Sequence, residues 1–281
     1  MARINQEISE YSFSKQSSIY YDLNILVGND SIYYMVTDAQ FNILILKSFH
    51  FDLKKEKTQL SNLRDAFFDD YILKEPYRST HIVFATPHFT LVPTKFYDET
   101  KKETYFRNIT NLSSSDLIIY DTLQTGFQNV FVIDNQLLTF AKSIFPQAEV
   151  RHVFTPLILG FQGIAELRQG HQLFANVRDG WIQILFFDGK DLLFANAYPF
   201  KNTSDLLYFI LLVYEQFKLN PETIPLSISG SLTLESDIYK TIFRYIRHLQ
   251  FVPTPAYVRL GNQFTGVPPH FYFDLYSIKL C

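Results

Sequence analysis

The stretch Leu173–Phe200, which reads LFANVRDGWIQILFFDGKDLLFANAYPF, decides the fold because the chain contains a second version of it. That version is Leu23–His50, which reads LNILVGNDSIYYMVTDAQFNILILKSFH and aligns with the first without a gap. The residue types are identical at these pairs of positions: Leu23 and Leu173, Val27 and Val177, Ile32 and Ile182, Asp38 and Asp188. Each version has three apolar segments separated by short polar breaks, a pattern that predicts a meander of three antiparallel strands joined by tight turns.

The segments that follow the two meanders also repeat in kind. After the first, apolar residues at helical spacing predict a helix that starts near Thr58, and a short β-rich run predicts a strand at His81–Ala85. After the second, the same patterns predict a helix that is capped at Asn202–Ser204 and ends near Asn220-Pro221, and a strand at Pro225–Ser229. A further helix is predicted in each half, so that both halves follow the order strand, strand, strand, helix, strand, helix. This order implies a mixed α/β sheet with helices packed on its faces, the ribonuclease H-like layout.

The boundary between the halves is predicted at a helix start. Thr155 can cap a helix with its hydroxyl group, and Pro156 is tolerated at the first helical position because its missing N–H has no partner there. That helix is predicted to run toward Arg168. We therefore predict an N-terminal tail at residues 1–16, a first subdomain at 17–155, and a second subdomain at 156–281 that includes the linking helix.

The chain after Gly230 is predicted to form one long last helix. Its apolar face consists of Leu234, Ile238, Ile242, Tyr245 and Leu249. Its opposite face carries a basic cluster, Lys240, Arg244, Arg247 and His248. We interpret this cluster as a solvated helix face; the alternative is a contact with the phosphates of RNA or with another anion. Elsewhere, Phe271–Ile278 is predicted as an edge strand, and the residues from Lys54 to Lys57 as a charged break.

The composition excludes several classes of protein. Of the 281 residues, 47% are apolar and 17% are aromatic, so the chain can bury a sizeable core and is too apolar to be disordered. With a formal net charge of −3, the chain has no overall positive field that would attract nucleic acid, so we do not expect nucleic acid as a partner. Cys281 is the only cysteine, so no disulfide framework forms within one chain. The longest apolar run, Leu206–Tyr214, is far shorter than the roughly 20 residues that span a bilayer. We expect a cytoplasmic protein without a membrane span.

Three segments carry a resemblance to a known family. They are TPHFTLVP at Thr86–Pro93, VGND at Val27–Asp30 and VRDG at Val177–Gly180. Through them the chain resembles an uncharacterised bacterial family of unknown function that is assigned the actin-like ATPase fold, over essentially its whole length. Pilus-assembly actin-like proteins are the nearest analogy. The resemblance implies two ribonuclease H-like subdomains in tandem, which in active members of the superfamily hold a nucleotide between them.

The resemblance also implies which residues would serve the nucleotide. In active members each meander contributes an Asp followed after one residue by Gly, and the linking helix starts with an acid. Here the corresponding triplets are Leu26-Val27-Gly28 and Asn176-Val177-Arg178, and Thr155 precedes Pro156. The adenosine turn of active members has two adjacent glycines, whereas this chain offers only Gly230. Of the two glycines that the triplets would contain, only Gly28 is present. The carboxylates expected in the two triplets and at the start of the linking helix are absent.

Two interpretations of the remaining polar residues stay open. Asp30 and Asp179 are either shifted substitutes for the missing carboxylates or ordinary turn residues, for which Asp has a physical preference. Arg178 either pairs with an anion or is an exposed arginine in a turn, the commoner situation. The candidate degenerate nucleotide cleft therefore consists of Gly28, Asp30, Arg178, Asp179 and Gly230.

Other chemistry lacks support in the sequence. The seven histidines have no zinc-binding spacing, the glycines form no phosphate-binding loop, and no serine lies in a nucleophile elbow. We predict no catalytic residues, no metal site and no cofactor. The predicted function is a non-catalytic scaffold or adaptor that binds a protein partner or itself. The alternative is an actin-like ATPase that binds ATP and Mg²⁺ through atypical ligands.

Overall fold

The computed structural model describes residues 3–51 and 58–281, so the predicted charged break from Lys54 to Lys57 lies outside the described residues. The strands are β1 (Arg3–Ser9), β2 (Asp22–Val27), β3 (Ser31–Thr37), β4 (Ile43–His50), β5 (Ser79–Phe84), β6 (Phe89–Pro93), β7 (Asp116–Leu123), β8 (Phe127–Asp134), β9 (Glu149–His152), β10 (His171–Arg178), β11 (Trp181–Asp188), β12 (Asp191–Pro199), β13 (Leu226–Gly230) and β14 (Leu249–Phe251). The α-helices are α1 (Gln59–Asp69), α2 (Asn135–Ile144), α3 (Phe154–Arg168), α4 (Thr203–Gln216), α5 (Asp237–Phe243) and α6 (Phe273–Tyr276).

The chain divides into two compact units. Unit 1 comprises Met1–Thr155 and Ala256–Gly266, and unit 2 comprises Pro156–Pro255 and Val267–Cys281. One division falls between Thr155 and Pro156, and residues 256–266 return to unit 1, a feature that the predicted subdomains lack. This segment is attached to unit 1 by a hydrogen bond of 2.9 Å from the Gln263 N–H to the Glu10 carboxylate.

The main sheet of unit 1 has the strand order β1-β4-β3-β2-β5-β9. β4, β3 and β2 pair antiparallel, and β2, β5 and β9 pair parallel. Every residue of β3 is buried, as expected for a strand in the middle of a sheet that is covered on both faces. One face packs against α1 and α2 through apolar side chains such as Phe67 and Phe140, whose rings meet edge to face at 5.8 Å.

The sheet of unit 2 repeats this topology. Its strand order is β12-β11-β10-β13-β14, with an antiparallel meander followed by two parallel strands. β4, β3, β2, β5 and β9 of unit 1 therefore correspond in order and direction to β12, β11, β10, β13 and β14 of unit 2. The predicted duplication of a ribonuclease H-like unit is confirmed. The core of unit 2 lies between the sheet, α4 and α5 and includes Ile184, Ile210 and Ile242, all fully buried.

Unit 1 differs from unit 2 by two additions. β1 pairs antiparallel with β4, so residues 3–9 belong to the sheet instead of forming a separate tail. The buried Lys47 of β4 holds β1 in place, since its ammonium group lies 3.0 Å from the carboxylates of both Glu7 and Asp70. The second addition is a three-stranded sheet, β6-β8-β7, between β5 and α2. It has a small core of its own, in which Phe106 and Val130 are fully buried.

The predicted long last helix is wrong. α5 ends at Phe243, and the chain continues through turns into β14, which pairs parallel with β13. Tyr245 is 53% exposed while Ile246 is fully buried, so the pattern of burial past the helix end does not follow the apolar spacing on which the prediction rested. Consequently the four basic residues do not share one helix face: Lys240 lies in α5, Arg244 caps it, and Arg247 and His248 follow it.

The predicted edge strand at Phe271–Ile278 is also wrong, because this segment is helical. A 3₁₀ turn at Pro269–Tyr272 leads into α6, and a second 3₁₀ turn at Ser277–Leu280 follows. Phe273, Leu275 and Tyr276 are all fully buried. A short run that is buried on all sides has no periodicity by which a strand can be distinguished from a helix.

Candidate functional site

The carboxyl end of β2 lies at the turn that carries Gly28. The N–H of Gly28 donates to the Ser31 carbonyl oxygen at 2.9 Å, which closes the turn between β2 and β3. Its carbonyl oxygen accepts a hydrogen bond of 2.8 Å from the Gln59 side chain. Leu26, at the position where active relatives of the fold carry an Asp, is 1% exposed and presents no oxygen. The backbone groups of Gly28 are therefore engaged within unit 1, and the adjacent side chain is apolar.

The equivalent end of β10 in unit 2 carries a buried polar network around Asn176. The Asn176 amide donates to the Gln183 side chain at 3.0 Å and to Asp274 at 3.3 Å. The side-chain oxygen of Asn176 accepts a hydrogen bond of 2.8 Å from the Ser229 hydroxyl. Asn176 and Ser229 are fully buried. The amide thus occupies the position of the expected carboxylate and has its donors and acceptor used by the protein itself.

Arg178 completes this network as a buried ion pair. Its guanidinium contacts the Asp274 carboxylate through two nitrogens, at 2.5 Å and 2.8 Å, and donates to the Phe271 carbonyl oxygen. Arg178 is 5% exposed and Asp274 is 1% exposed. The interpretation of Arg178 as an exposed turn arginine is therefore wrong. Because Phe271 and Asp274 belong to the C-terminal helical segment, the end of β10 is covered by the last residues of the chain.

Gly230 is required by the packing of β13 against β10. Its backbone has a φ of +100°, and a Cβ atom at this position would lie 2.0 Å from the Val177 carbonyl oxygen. Both features exclude any other residue without a backbone shift. The glycine that the sequence assigned to an adenosine turn therefore has a demonstrable role within unit 2, the close approach of two parallel strands.

Asp30 and Asp179 both lie in hairpin turns of the meanders. Asp179 and Gly180 have φ values of +53° and +72°, the combination that a type I′ turn needs and that the Asp-Gly sequence favours. Asp30 lies in the turn from β2 to β3, and its carbonyl oxygen accepts from the Phe51 N–H at 2.7 Å. Of the five predicted site residues, the structure brings Arg178, Asp179 and Gly230 together in unit 2 and Gly28 and Asp30 together in unit 1.

A buried carboxylate that the sequence analysis missed lies beside Thr155. The carboxylate of Asp121 in β7 accepts a hydrogen bond of 2.5 Å from the Thr155 hydroxyl and one of 2.8 Å from the backbone N–H of His152. It is 2% exposed, and this burial raises its pKa to about 6 despite those hydrogen bonds. The arrangement fastens the inserted sheet to the start of α3. No local pattern could reveal it, because Asp121 and Thr155 are 34 residues apart.

His152 is the second titratable group of this cluster. Its Nε2 atom lies 3.0 Å from the Thr86 carbonyl oxygen, and its Nδ1 atom lies 3.3 Å from the Asn129 amide nitrogen. A proton on Nε2 alone satisfies both contacts, so the ring is neutral with Nε2 as donor. Burial lowers the pKa of His152 to about 4. The ring is also stacked on Phe89 with a centroid distance of 5.0 Å.

The residues at the two strand ends do not fit a magnesium nucleotide in the manner of active relatives. Mg²⁺ takes oxygen ligands, and phosphate oxygens need free donors. Leu26 offers no oxygen, the Asn176 oxygen accepts from Ser229, and the Arg178 guanidinium is bound to Asp274. Among the described residues, no group of three or more His, Cys, Asp or Glu side chains is arranged to hold a metal ion. Within the same part of the chain, no helix has the length and apolarity that crossing a membrane requires.

Comparisons with known proteins agree with this architecture. The sequence profile of the family described as "Protein of unknown function (DUF3822)" matches residues 10–249. No functionally curated protein shows significant sequence similarity to the chain.

Three solved structures resemble the chain over most of its length. A Bacteroides thetaiotaomicron protein with actin-like ATPase fold and unknown function superposes with a TM-score of 0.82 at 22% identity, covering 96% of this chain and 99% of that one. A chain of the PilM–PilN type IV pilus biogenesis complex gives 0.63 at 10% identity, covering 92% and 97%. The ethanolamine utilization protein EutJ from Carboxydothermus hydrogenoformans gives 0.50 at 9% identity, covering 97% and 92%. The predicted actin-like ATPase fold is confirmed.

Proposed function

We propose, from the premise that this chain belongs to the DUF3822 family of proteins of unknown function, that it is a non-catalytic scaffold with an actin-like fold that binds a protein partner or itself. The observation that carries the proposal is the Arg178–Asp274 pair at the end of β10. It uses the one cation of the candidate cleft for an internal contact. The proposal places the protein in the cytoplasm, on the composition of its sequence.

The energetics of the pair argue against its release for a nucleotide. Transfer of a phosphoryl group depends on free positive charge and on Mg²⁺ around the phosphates. If Arg178 turned toward a phosphate, Asp274 would remain buried without its partner. Leaving a buried charge unpaired costs about 3–5 kcal/mol, which nucleotide binding would first have to offset. The ionic network therefore favours an internal, structural use of Arg178.

Protein binding is supported by surface composition and by one relative of the fold. Large apolar side chains are prominent on the described surface, among them Tyr11, Phe68, Leu167 and Tyr208 at 91%, 65%, 86% and 60% exposure. Exposed apolar side chains of this kind contribute to protein interfaces when they are clustered. The PilM–PilN structure is a complex in which an actin-like relative is joined to another protein. At 10% identity it supports the proposal by analogy of fold.

Calorimetric titration with ATP and Mg²⁺ tests the proposal. We expect no saturable heat and no phosphate release in a parallel hydrolysis assay. The proposal fails if ATP binds in the micromolar range and if Asp179→Asn weakens that binding, because Asp179 would then act as a substitute metal ligand. Asp191→Asn, at the start of β12, is the matched control, since it removes a carboxylate of unit 2 that is outside the candidate cleft.

A further inference from the structure

The outer edges of the two main sheets differ between the two copies of the fold. β4, the outer strand of the first meander, is covered by β1, which pairs with it antiparallel from Arg3 opposite His50 to Ser9 opposite Ile45. β12, the equivalent strand of the second meander, pairs with β11 on one side and with no described strand on the other. The first copy thus shows that this edge of the fold accepts an added antiparallel strand.

The centre of β12 lacks the features that protect exposed edges. With nine residues it is the longest edge strand of the described sheets. Its segment Leu192–Tyr198 contains no charged residue, no glycine and no proline. Natural edge strands are usually blunted by lysine, proline, bulges or shortness. Here the only such features are Pro199 at the strand end and one bulge beside Phe187 of the neighbouring strand.

The middle of β12 presents backbone donors to the outside. The N–H of Ala197 donates to the Asn196 side-chain oxygen at 2.9 Å, so it points away from β11. The pairing with β11 is regular between Ala195 and Ala197, and alternate residues of a strand direct their N–H groups to the same side. Ala195 therefore also directs its N–H outward. The Asn196 side chain can rotate away from the Ala197 N–H, which then becomes available to the backbone of an added strand.

The side chains beside this edge form an apolar surface. Leu193 is 50% exposed and Tyr208 of α4 is 60% exposed. The ring of Tyr208 packs edge to face against that of Phe209, with 5.4 Å between the ring centroids. The Phe209 ring stacks on Tyr198 of β12, with 4.5 Å between the centroids. An added strand would therefore meet apolar side chains as well as backbone groups, and the combination gives more buried area than a strand edge alone.

We infer that β12 pairs antiparallel with β12 of a second copy, around the segment Ala195–Ala197, and so joins two five-stranded sheets into one. This inference rests on the proposed function and names a second copy of the chain as the partner. A twofold axis brings identical segments together, which requires that they not repel each other. Leu192–Tyr198 is uncharged and its centre is small, so antiparallel self-pairing creates neither like-charge contacts nor steric conflict. A charged segment of another protein would find no complementary charge there.

Sedimentation velocity over a range of concentrations tests the inference. We expect a reversible monomer–dimer equilibrium, weak because a single strand edge buries less than the roughly 1,200 Å² of a stable interface. Ala195→Pro removes an outward donor without removing a hydrogen bond to β11, and we expect it to raise the dissociation constant at least tenfold. Ala195→Val keeps the donor and is the matched control, with an unchanged constant. Ala195→Lys places like charges across the twofold axis and should abolish the dimer.

Hydrogen exchange locates the contact. The amides of Ala195 and Ala197 should be protected at high protein concentration and exchange faster at low concentration, while those of β11 stay unchanged. A protein that is monomeric at all concentrations overturns the inference, and so does a dimer that Ala195→Pro and Ala195→Lys leave intact. Micromolar ATP binding that Asp179→Asn weakens would refute the proposed function without affecting the dimer, so the two failures are distinguishable.

Discussion

The two copies of the meander share one topology, but their first strands end in residues of different polarity. In unit 1 the first strand ends in the apolar Leu26 and in Gly28, whose backbone groups are used within its own turn. In unit 2 the equivalent strand ends in Asn176 and Arg178, which are locked to Asp274 by buried hydrogen bonds. The difference teaches that a shared pattern of apolar residues accompanies a shared topology, whereas the polar residues at the ends of the two first strands differ and make different contacts.

The largest effect is expected from breaking the buried ion pair of unit 2. Arg178→Met leaves Asp274 buried and unpaired and should lower the free energy of unfolding by about 3–5 kcal/mol. Urea denaturation measures this. The matched control is the more exposed pair of unit 1, in which Arg78 lies 2.5 Å from Asp22; Arg78→Met should cost only about 0–1 kcal/mol. Equal losses at the two sites would contradict the assignment of Arg178 as a buried structural cation.

Removing both charges of the Arg178–Asp274 pair tests whether the loss of stability comes from the unpaired Asp274 carboxylate. The double variant Arg178→Met with Asp274→Leu removes both charges, so it should be more stable than Arg178→Met alone. A double variant that is less stable than the single one would show that the hydrogen bond from Asn176 to Asp274 contributes more to stability than the unpaired charge costs.

The next largest effect is a pH dependence that is concealed in the wild type. The folded pKa of Asp121 is raised to about 6 from 3.8, so its contribution to stability is present below the unfolded pKa and is lost as pH rises through about 6. The folded pKa of His152 is lowered to about 4 from 6.5, so its contribution is present above the unfolded pKa and is lost as pH falls toward 4. Each is on the order of 3 kcal/mol, and the two oppose each other between pH 4 and 6.5.

Single substitutions should reveal the separate pH dependences of stability that Asp121 and His152 contribute. Relative to the wild type, Asp121→Asn should lose stability as pH falls from 6.5 to 4, because only the His152 dependence remains. His152→Gln should gain stability over the same range, because only the Asp121 dependence remains. Unfolding free energies from urea titrations at several pH values provide the check. Parallel profiles for the wild type and both variants would show that neither group titrates as its burial requires.

A moderate effect is expected at Gly230. Gly230→Ala should cost about 1–3 kcal/mol, since the backbone has a positive φ and the new Cβ atom would meet the Val177 carbonyl. Gly163→Ala in α3 is the matched control, because no atom lies within 4 Å of its added Cβ. That change should stabilise the protein by up to about 1 kcal/mol through helix propensity. Thermal unfolding of both variants decides whether Gly230 serves strand packing.

The smallest effects are expected at the helix caps that follow the two meanders. The Thr58 hydroxyl accepts from the Ser61 N–H at 3.2 Å at the start of α1, and the Asn202 side chain accepts from the Asp205 N–H at 2.9 Å at the start of α4. Replacing either by alanine should cost about 1 kcal/mol in urea denaturation. Similar losses would confirm that the two copies begin their first helix in the same way, whereas a neutral result at either position would refute that equivalence.

Most strands of the main sheets could be predicted from the sequence, whereas the long-range contacts and the exact ends of the last elements could not. The meanders, α1, α4, β5 and β13 follow from apolar spacing over consecutive residues. The absence of carboxylates at Leu26 and Asn176 follows from the resemblance to the actin-like family, which implies an Asp at these positions. α5 was predicted too long because apolar residues continue beyond Phe243 at nearly helical spacing, and the pairing of β14 with β13 overrode that local preference.

What the sequence alone determined is thus the duplicated topology, because alternation and helical spacing are properties of neighbouring residues. Only the tertiary structure decided the chemistry of the candidate site. Arg178 and Asp274 are 96 residues apart, and Asp121 and Thr155 are 34 residues apart. Contacts over such separations depend on the path of the chain through the fold, and that path brings the C-terminal helices to the end of β10.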